Sequence, residues 1–147
     1  MANKYAIQNG FFDQNTTWSL SPTANTPTTV PTVGDVAVAN TRTVTITSNV
    51  RCDAITMSSS YGSVSGGMFL VKTINNDVDI HADIVGANIY GTTFYCLSGD
   101  GSKTLSITGN VFPCYQNYGT GTGRSPCIRL FNTGVVNLST RFDTAIG

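Results

Sequence analysis

Four segments of this chain repeat one seven-residue pattern: VTITSNV from Val44, VDIHADI from Val78, LSITGNV from Leu105 and VNLSTRF from Val136. Their starts are separated by 34, 27 and 31 residues, too far for a tight hairpin and suited to one circuit of a β-solenoid per repeat. Within each copy apolar and polar residues alternate, as in a strand with one buried and one wet face. Val44, Ile46 and Val50 oppose Thr43, Thr45 and Thr47, with Val36 and Val38 sharing the apolar parity; Val78, Ile80, Ala82 and Ile84 oppose Asp77, Asp79, His81 and Asp83.

The similarity extends upstream. Phe69, Cys96 and Cys127 each stand nine residues before the first apolar residue of their copy, which predicts a second strand in every circuit. Stacking the copies predicts interior ladders: Val44, Val78, Leu105, Val136; Ile46, Ile80, Ile107, Leu138; and Val50, Ile84, Val111, Phe142. The fold expected is all-β, a short parallel β-solenoid of about four coils over residues 35–147. A jelly roll or β-sandwich is the alternative, because it too would show short alternating strands.

Residues 1–34 break the pattern. Aromatics at Phe11, Phe12 and Trp18 precede Pro22, Pro27 and Pro31 amid Thr and Asn, a density of proline that interrupts a ladder. The expectation is an irregular N-terminal arm ending in a turn at Gly34-Asp35, whose aromatics cap the first coil or anchor the chain to a neighbour. Composition agrees with strands. All eight acidic residues are Asp and Glu is absent, while Thr, Ser and Asn supply most of the polar surface.

Formal charge is zero and only 11% of residues are charged, which argues against a nucleic-acid partner. The N-terminus has no apolar signal-like core and no run is long enough to span a bilayer, so neither export nor a membrane is expected. Cys52, Cys96, Cys114 and Cys127 are then expected as reduced thiols, with Cys96 and Cys127 packed inside.

The densest charged cluster is Asp77, Asp79, His81 and Asp83. Alternate carboxylates beside a histidine could hold a hard cation or serve as acid and base in a groove, as in polysaccharide-cleaving solenoids. The plainer expectation is the wet side of an amphipathic strand, since neighbouring copies carry Thr and Ser there. His81 is the only histidine, and no nucleophile elbow or CxxC pair accompanies it, so neither triad catalysis nor zinc is expected. The glycine runs at Ser65-Gly-Gly and Gly119-Thr-Gly-Thr-Gly lead into no helix with a Lys-Ser/Thr pair and are expected as turns.

The early aromatics with Trp18, Pro31-Thr-Val-Gly-Asp-Val-Ala-Val38, Thr43-Val-Thr-Ile-Thr47 and Ile107-Thr-Gly-Asn-Val111 together resemble the structural virion proteins of tailed bacteriophages, of the β-helical appendage, fibre or decoration type. The resemblance implies a non-enzymatic role without cofactors and a place in the virion after assembly in the host cytoplasm. It also implies other virion proteins as partners, a homo-oligomer with a trimer favoured, and a virion anchor in Phe11, Phe12 and Trp18. Host surface polysaccharide is a further candidate partner. The alternative is a carbohydrate-binding or polysaccharide-depolymerising β-helix module.

Overall fold

A computed structural model describes residues 2–56, 68–73, 75–85, 94–97, 103–112, 115–118, 121–124, 128–131 and 135–142. These residues are all-β apart from one turn of 3-10 helix at Asn15–Thr17. One sheet contains β1 (Ala2–Ala6), β3 (Trp18–Ser19), β4 (Asp35–Val38), β6 (Val50–Thr56), β8 (Val78–Val85), β10 (Thr104–Phe112) and β14 (Val135–Phe142). A second contains β2 (Gly10–Phe11), β5 (Thr43–Ile46), β7 (Met68–Lys72), β9 (Phe94–Leu97) and β13 (Ile128–Phe131). β11 (Tyr115–Tyr118) and β12 (Gly121–Arg124) pair antiparallel as a separate two-stranded sheet. The Gly119 run is thus more than a turn, because Gly121 and Gly123 belong to β12.

From β5 onward, β11 and β12 aside, successive strands alternate between the two sheets, and each lies parallel beside the previous strand of its own sheet. Among the described residues, the only antiparallel pair in the two large sheets joins β1 to β3. Buried residues of both sheets belong to one apolar cluster, which runs from Val44, Ile46, Phe69 and Val71 to Val78, Ile80, Ile84, Leu105 and Ile107.

Three of the four repeated segments stack as the sequence predicts. Val78 pairs with Leu105 and Leu105 with Val136; Ile80, Ile107 and Leu138 follow, then Ile84, Val111 and Phe142. The first copy does not join them. Val44 lies in β5 of the second sheet, between Gly10 and Phe69, and the strand beside β8 is β6, with Val50 opposite Ile80 and Ile55 opposite Ile84. VTITSNV holds the end of one strand, a corner and the start of the next, whereas the later copies are single strands. Alternation alone cannot show that corner, because Val50 keeps the parity of Val44.

The upstream strands are present, but in a different register. Phe69 pairs with Phe94, which pairs with Ile128, while Cys96 stands opposite Val71 and Leu130. Connections between the sheets differ in length from pass to pass, so a fixed offset of nine residues misplaces Cys96. Cys114 and Cys127 lie outside the described residues. Cys52 is inside β6.

Residues 2–34 are no free arm. Ala2 to Tyr5 pair parallel with Asp35 to Val38, and Gly10 and Phe11 pair with Val44 and Thr45, so both sheets begin in this segment. The proline-rich stretch is tied down along its length: Thr28 N donates to Trp18 O (2.7 Å), Val30 N to Asn15 Oδ1 (3.0 Å), and Asn40 Nδ2 to Pro22 O (3.0 Å). Asp35 and Ala37 follow the inward parity of Lys4 and Ala6, which reverses the facing expected for Val36 and Val38. Ala37 is in register with Ile55 and joins the core cluster, while Val38 is buried outside it.

Trp18 closes this end of the interior. Its ring meets Phe12 edge-on with centroids 5.1 Å apart and stacks on Phe69 at 6.5 Å, and its Nε1 donates to Phe12 O at 2.8 Å. The indole is therefore fully buried with its one polar group satisfied. Nearby, the buried Lys4 ammonium lies 2.9 Å from Asp35 Oδ2 and donates to Thr29 Oγ1 (2.8 Å) and Val30 O (3.0 Å), one acceptor for each of its protons. Burial pushes the Asp35 carboxyl up, but the Lys4 hydrogen bond and charge, with the Thr32 N–H and hydroxyl, outweigh it and hold the group below its ordinary 3.8.

Truncating Trp18 to Ala removes the centre of this layer and should cost about 3–5 kcal/mol in urea unfolding. The Asp35 contribution is complete above the unfolded value of 3.8 and is lost as pH falls through the lower folded value. Lys4→Met removes the charge partner of the half-buried Asp35 carboxylate, which keeps only the Thr32 N–H and hydroxyl, and should cost about 1–3 kcal/mol at pH 7. Its deficit against the parent should narrow below pH 3.8, as protonation neutralises Asp35 in both proteins; urea titrations across pH measure both effects.

Candidate functional site

The outer face of the first sheet brings the predicted carboxylates together with residues from the neighbouring strands. Alternation in β8 buries Val78, Ile80, Ala82 and Ile84 and turns Asp79, His81 and Asp83 outward. Arg51 of β6 stands opposite His81 and reaches across to Asp79, its Nη2 2.9 Å from Asp79 Oδ2 and its Nη1 donating to the Asp79 carbonyl at 3.2 Å. His81 Nε2 lies 3.3 Å from the other carboxylate oxygen. Asp79 is thus bracketed by the Arg51 guanidinium and the His81 imidazole, with all three side chains open to solvent.

Beside this group the ladders are interrupted on both sides of Ala82. The β6 register shifts between Arg51 and Ala54, a bulge at Cys52 and Asp53. On the other side Gly109 has φ +149, and a Cβ there would run into the Ala82 carbonyl oxygen. The sheet opens here into a shallow groove of about 570 Å³ that Arg51, Asp53, His81 and Asp83 line, with the small residues Ala82 and Gly109 between them.

The acidic residues of the groove do not converge on one point. Asp83 Oδ1 accepts the Asn110 N–H at 2.8 Å, and Asp77 Oδ1 accepts the Thr104 N–H at 2.9 Å, each from the strand stacked next in line. Asn9 does the same for Thr43 and Asn49 for Asp79, both at 2.9 Å. Asp53 Oδ1 reaches back to Gly34 N at 2.8 Å, in the turn where Gly34 takes φ +95. These side chains satisfy backbone donors that the bulges and corners leave outside the ladder. Among the described residues no three His, Cys or Asp side chains come together as a metal site.

Cys52 borders the groove but points its thiol inward, where Sγ donates to Ala54 O at 3.5 Å. Burial, with the charges of Asp53 and Asp35, pushes its pKa up to about 12, so it is a protonated packing group rather than a nucleophile.

Of the aromatic trio, Phe12 and Trp18 are 3% and 0% exposed and belong to the core, where they cannot also grip a neighbouring chain. Phe11 alone is open, at 44%. Arg51 and Asp53 escaped the sequence reading because the repeat placed Val44, not Val50, beside the second copy; matching Val50 to Ile80 would have set Arg51 against His81. No protein-family model matches the sequence, and neither the curated proteins nor the solved structures give a match.

Two carboxylates on one face should respond differently to truncation. Asp83→Ala strands the Asn110 N–H and should cost about 1–3 kcal/mol. Asp79→Ala removes only solvent-exposed contacts with Arg51 and His81 and should cost less than about 1 kcal/mol. Urea midpoints of the two variants, measured together, distinguish them.

Proposed function

We propose that the chain is a short parallel β-solenoid that serves as a non-enzymatic structural part of a tailed-phage particle, as a decoration or at the base of a fibre. Strands that alternate between two sheets and stack in parallel favour the solenoid over a jelly roll or sandwich, whose strands are antiparallel. One observation carries the structural role: Asp77 and Asp83, two of the three carboxylates in the charged cluster, accept backbone N–H groups of the adjacent strand. Side chains that tie one pass of the chain to the next suit a scaffold. The place in a virion rests on the resemblance carried by Pro31–Val38, Thr43–Thr47 and Ile107–Val111.

Attachment through a free N-terminal arm is not part of this proposal, because residues 2–19 begin both sheets and fill one end of the core. Contacts with other virion proteins, and with further copies in a three-fold assembly, then fall to the outer faces and strand edges. The second reading, a polysaccharide-cleaving module, is favoured by one feature alone, the Asp79–His81 pair beside an open groove.

Immunogold microscopy of particles from an infected culture should label the virion at a regular position. Labelling confined to soluble lysate would remove the virion role. In parallel, purified protein incubated with host-type polysaccharides should release no reducing ends. An activity that Asp79→Asn abolishes would replace the structural reading with the enzymatic one.

A further inference from the structure

The second sheet carries a cleft of its own, about 280 Å³, lined by Phe11, Thr47, Lys72, Asn75 and Asn76. Phe11 lies on β2, the edge strand of that sheet, and its ring is 44% exposed beside a neighbour, Phe12, that is almost wholly buried. Its backbone is held on both sides: Phe12 N donates to Thr45 O at 2.8 Å, and Thr17 Oγ1 donates to Phe11 O at 2.9 Å. An exposed ring on a fixed strand is a preorganised apolar platform. Thr47 and Lys72 come one step beyond the paired Ile46 and Val71, so both reach the cleft from strand ends, and Asn75 and Asn76 enter from the turn before β8.

The chemistry of these five residues is selective. Phe11 offers an apolar face, the two amides offer donors and acceptors side by side, Thr47 adds a hydroxyl, and Lys72 adds a compact positive charge. Among the described lining residues there is no carboxylate. Lys72 also differs from Lys4 and Arg51, which are engaged by Asp35 and Asp79. A free inorganic anion has no use for the ring, and a wholly apolar ligand would leave the amides and ammonium without partners. A pyranose has a C–H face for the ring and a rim of hydroxyls for the amides, and an acidic one adds a carboxylate for the lysine. The volume, just below the 300–1,000 Å³ typical of small-molecule pockets, suits one or two sugar rings.

We propose that this cleft binds an acidic saccharide: a uronate ring packs on Phe11, its hydroxyls bond Asn75, Asn76 and Thr47, and its carboxylate meets Lys72. The site is independent of the groove at Arg51 and of the virion role, and it requires no catalysis.

The test is a titration of the full-length protein with tetragalacturonate, followed by amide chemical shifts, with neutral maltotetraose as comparison. Shifts should appear around Phe11 and Lys72 with the uronate and be much weaker with the neutral sugar. Phe11→Ala, half-exposed in the parent and checked for folding by circular dichroism, should weaken uronate binding by about tenfold or more, through loss of the stacked face. Lys72→Gln should weaken uronate binding by about tenfold, the worth of a charge-assisted hydrogen bond, and leave the neutral sugar unchanged. Asp79→Asn, on the first sheet, should change neither. No shift with tetragalacturonate, undiminished binding by Phe11→Ala, or equal affinity for both sugars would each overturn the proposal. Should Phe11→Ala fail to fold, Phe11→Leu and Lys72→Gln carry the same comparison.

Discussion

Parallel pairing between successive passes of the chain is the constraint on which the rest depends. Once Val78, Leu105 and Val136 are opposite one another, every second residue after them follows, and the inward row of each strand meets the inward row of the next. Burial of these rows between two sheets supplies the apolar free energy, while backbone bonding between strands satisfies the peptide groups that burial would strand. A slip of one residue would turn a whole apolar row to water. Toward the N-terminus the rings of Phe12 and Trp18 complete the layer over Phe69, and the Lys4–Asp35 pair fixes the covering segment in place.

The outer faces obey a second rule. Where corners and bulges break the ladder, short polar side chains take over, with Asn9, Asn49, Asp77 and Asp83 each accepting an N–H from an adjacent strand. Asp and Asn are short enough to reach a neighbouring backbone about 4.8 Å away without losing much side-chain freedom, whereas Glu and Gln would lose more. This accounts for Asp, in place of a longer acid, at positions 53, 77 and 83. The surface that results has a shallow groove of mixed charge at Arg51 and Asp83, better suited to contact than to enclosure.

Much of this was legible in the sequence, and the failures have identifiable causes. The period-2 alternation located β8, β10 and β14 and ordered their residues correctly, because each is a single uninterrupted strand. It failed at Val44–Val50, where a corner preserves the parity of the apolar residues, and at Cys96, where connections of unequal length shift the register. Prolines between Pro22 and Pro31 rightly excluded a continuous ladder there, yet gave no indication that the same stretch would lie against the core through Val30. In the candidate site, Asp79, His81 and Asp83 were correctly placed on one outward face. Arg51 and Asp53 were missed, since they belong to a strand whose partner had been misassigned.

The chain's own residues determined that it would be built of strands, which side of most of them would be wet, and that distant segments would stack as equivalents. Those properties depend on local alternation and on repetition, which a linear text carries intact. Only the tertiary structure decided which sheet each strand joined, that Trp18 and Phe12 became core while Phe11 stayed outside, and that Asp77 and Asp83 became braces between strands. Each of those outcomes depends on where chain turns bring residues distant in sequence, a geometry fixed by corner lengths and bulges and not by the pattern of apolar and polar residues.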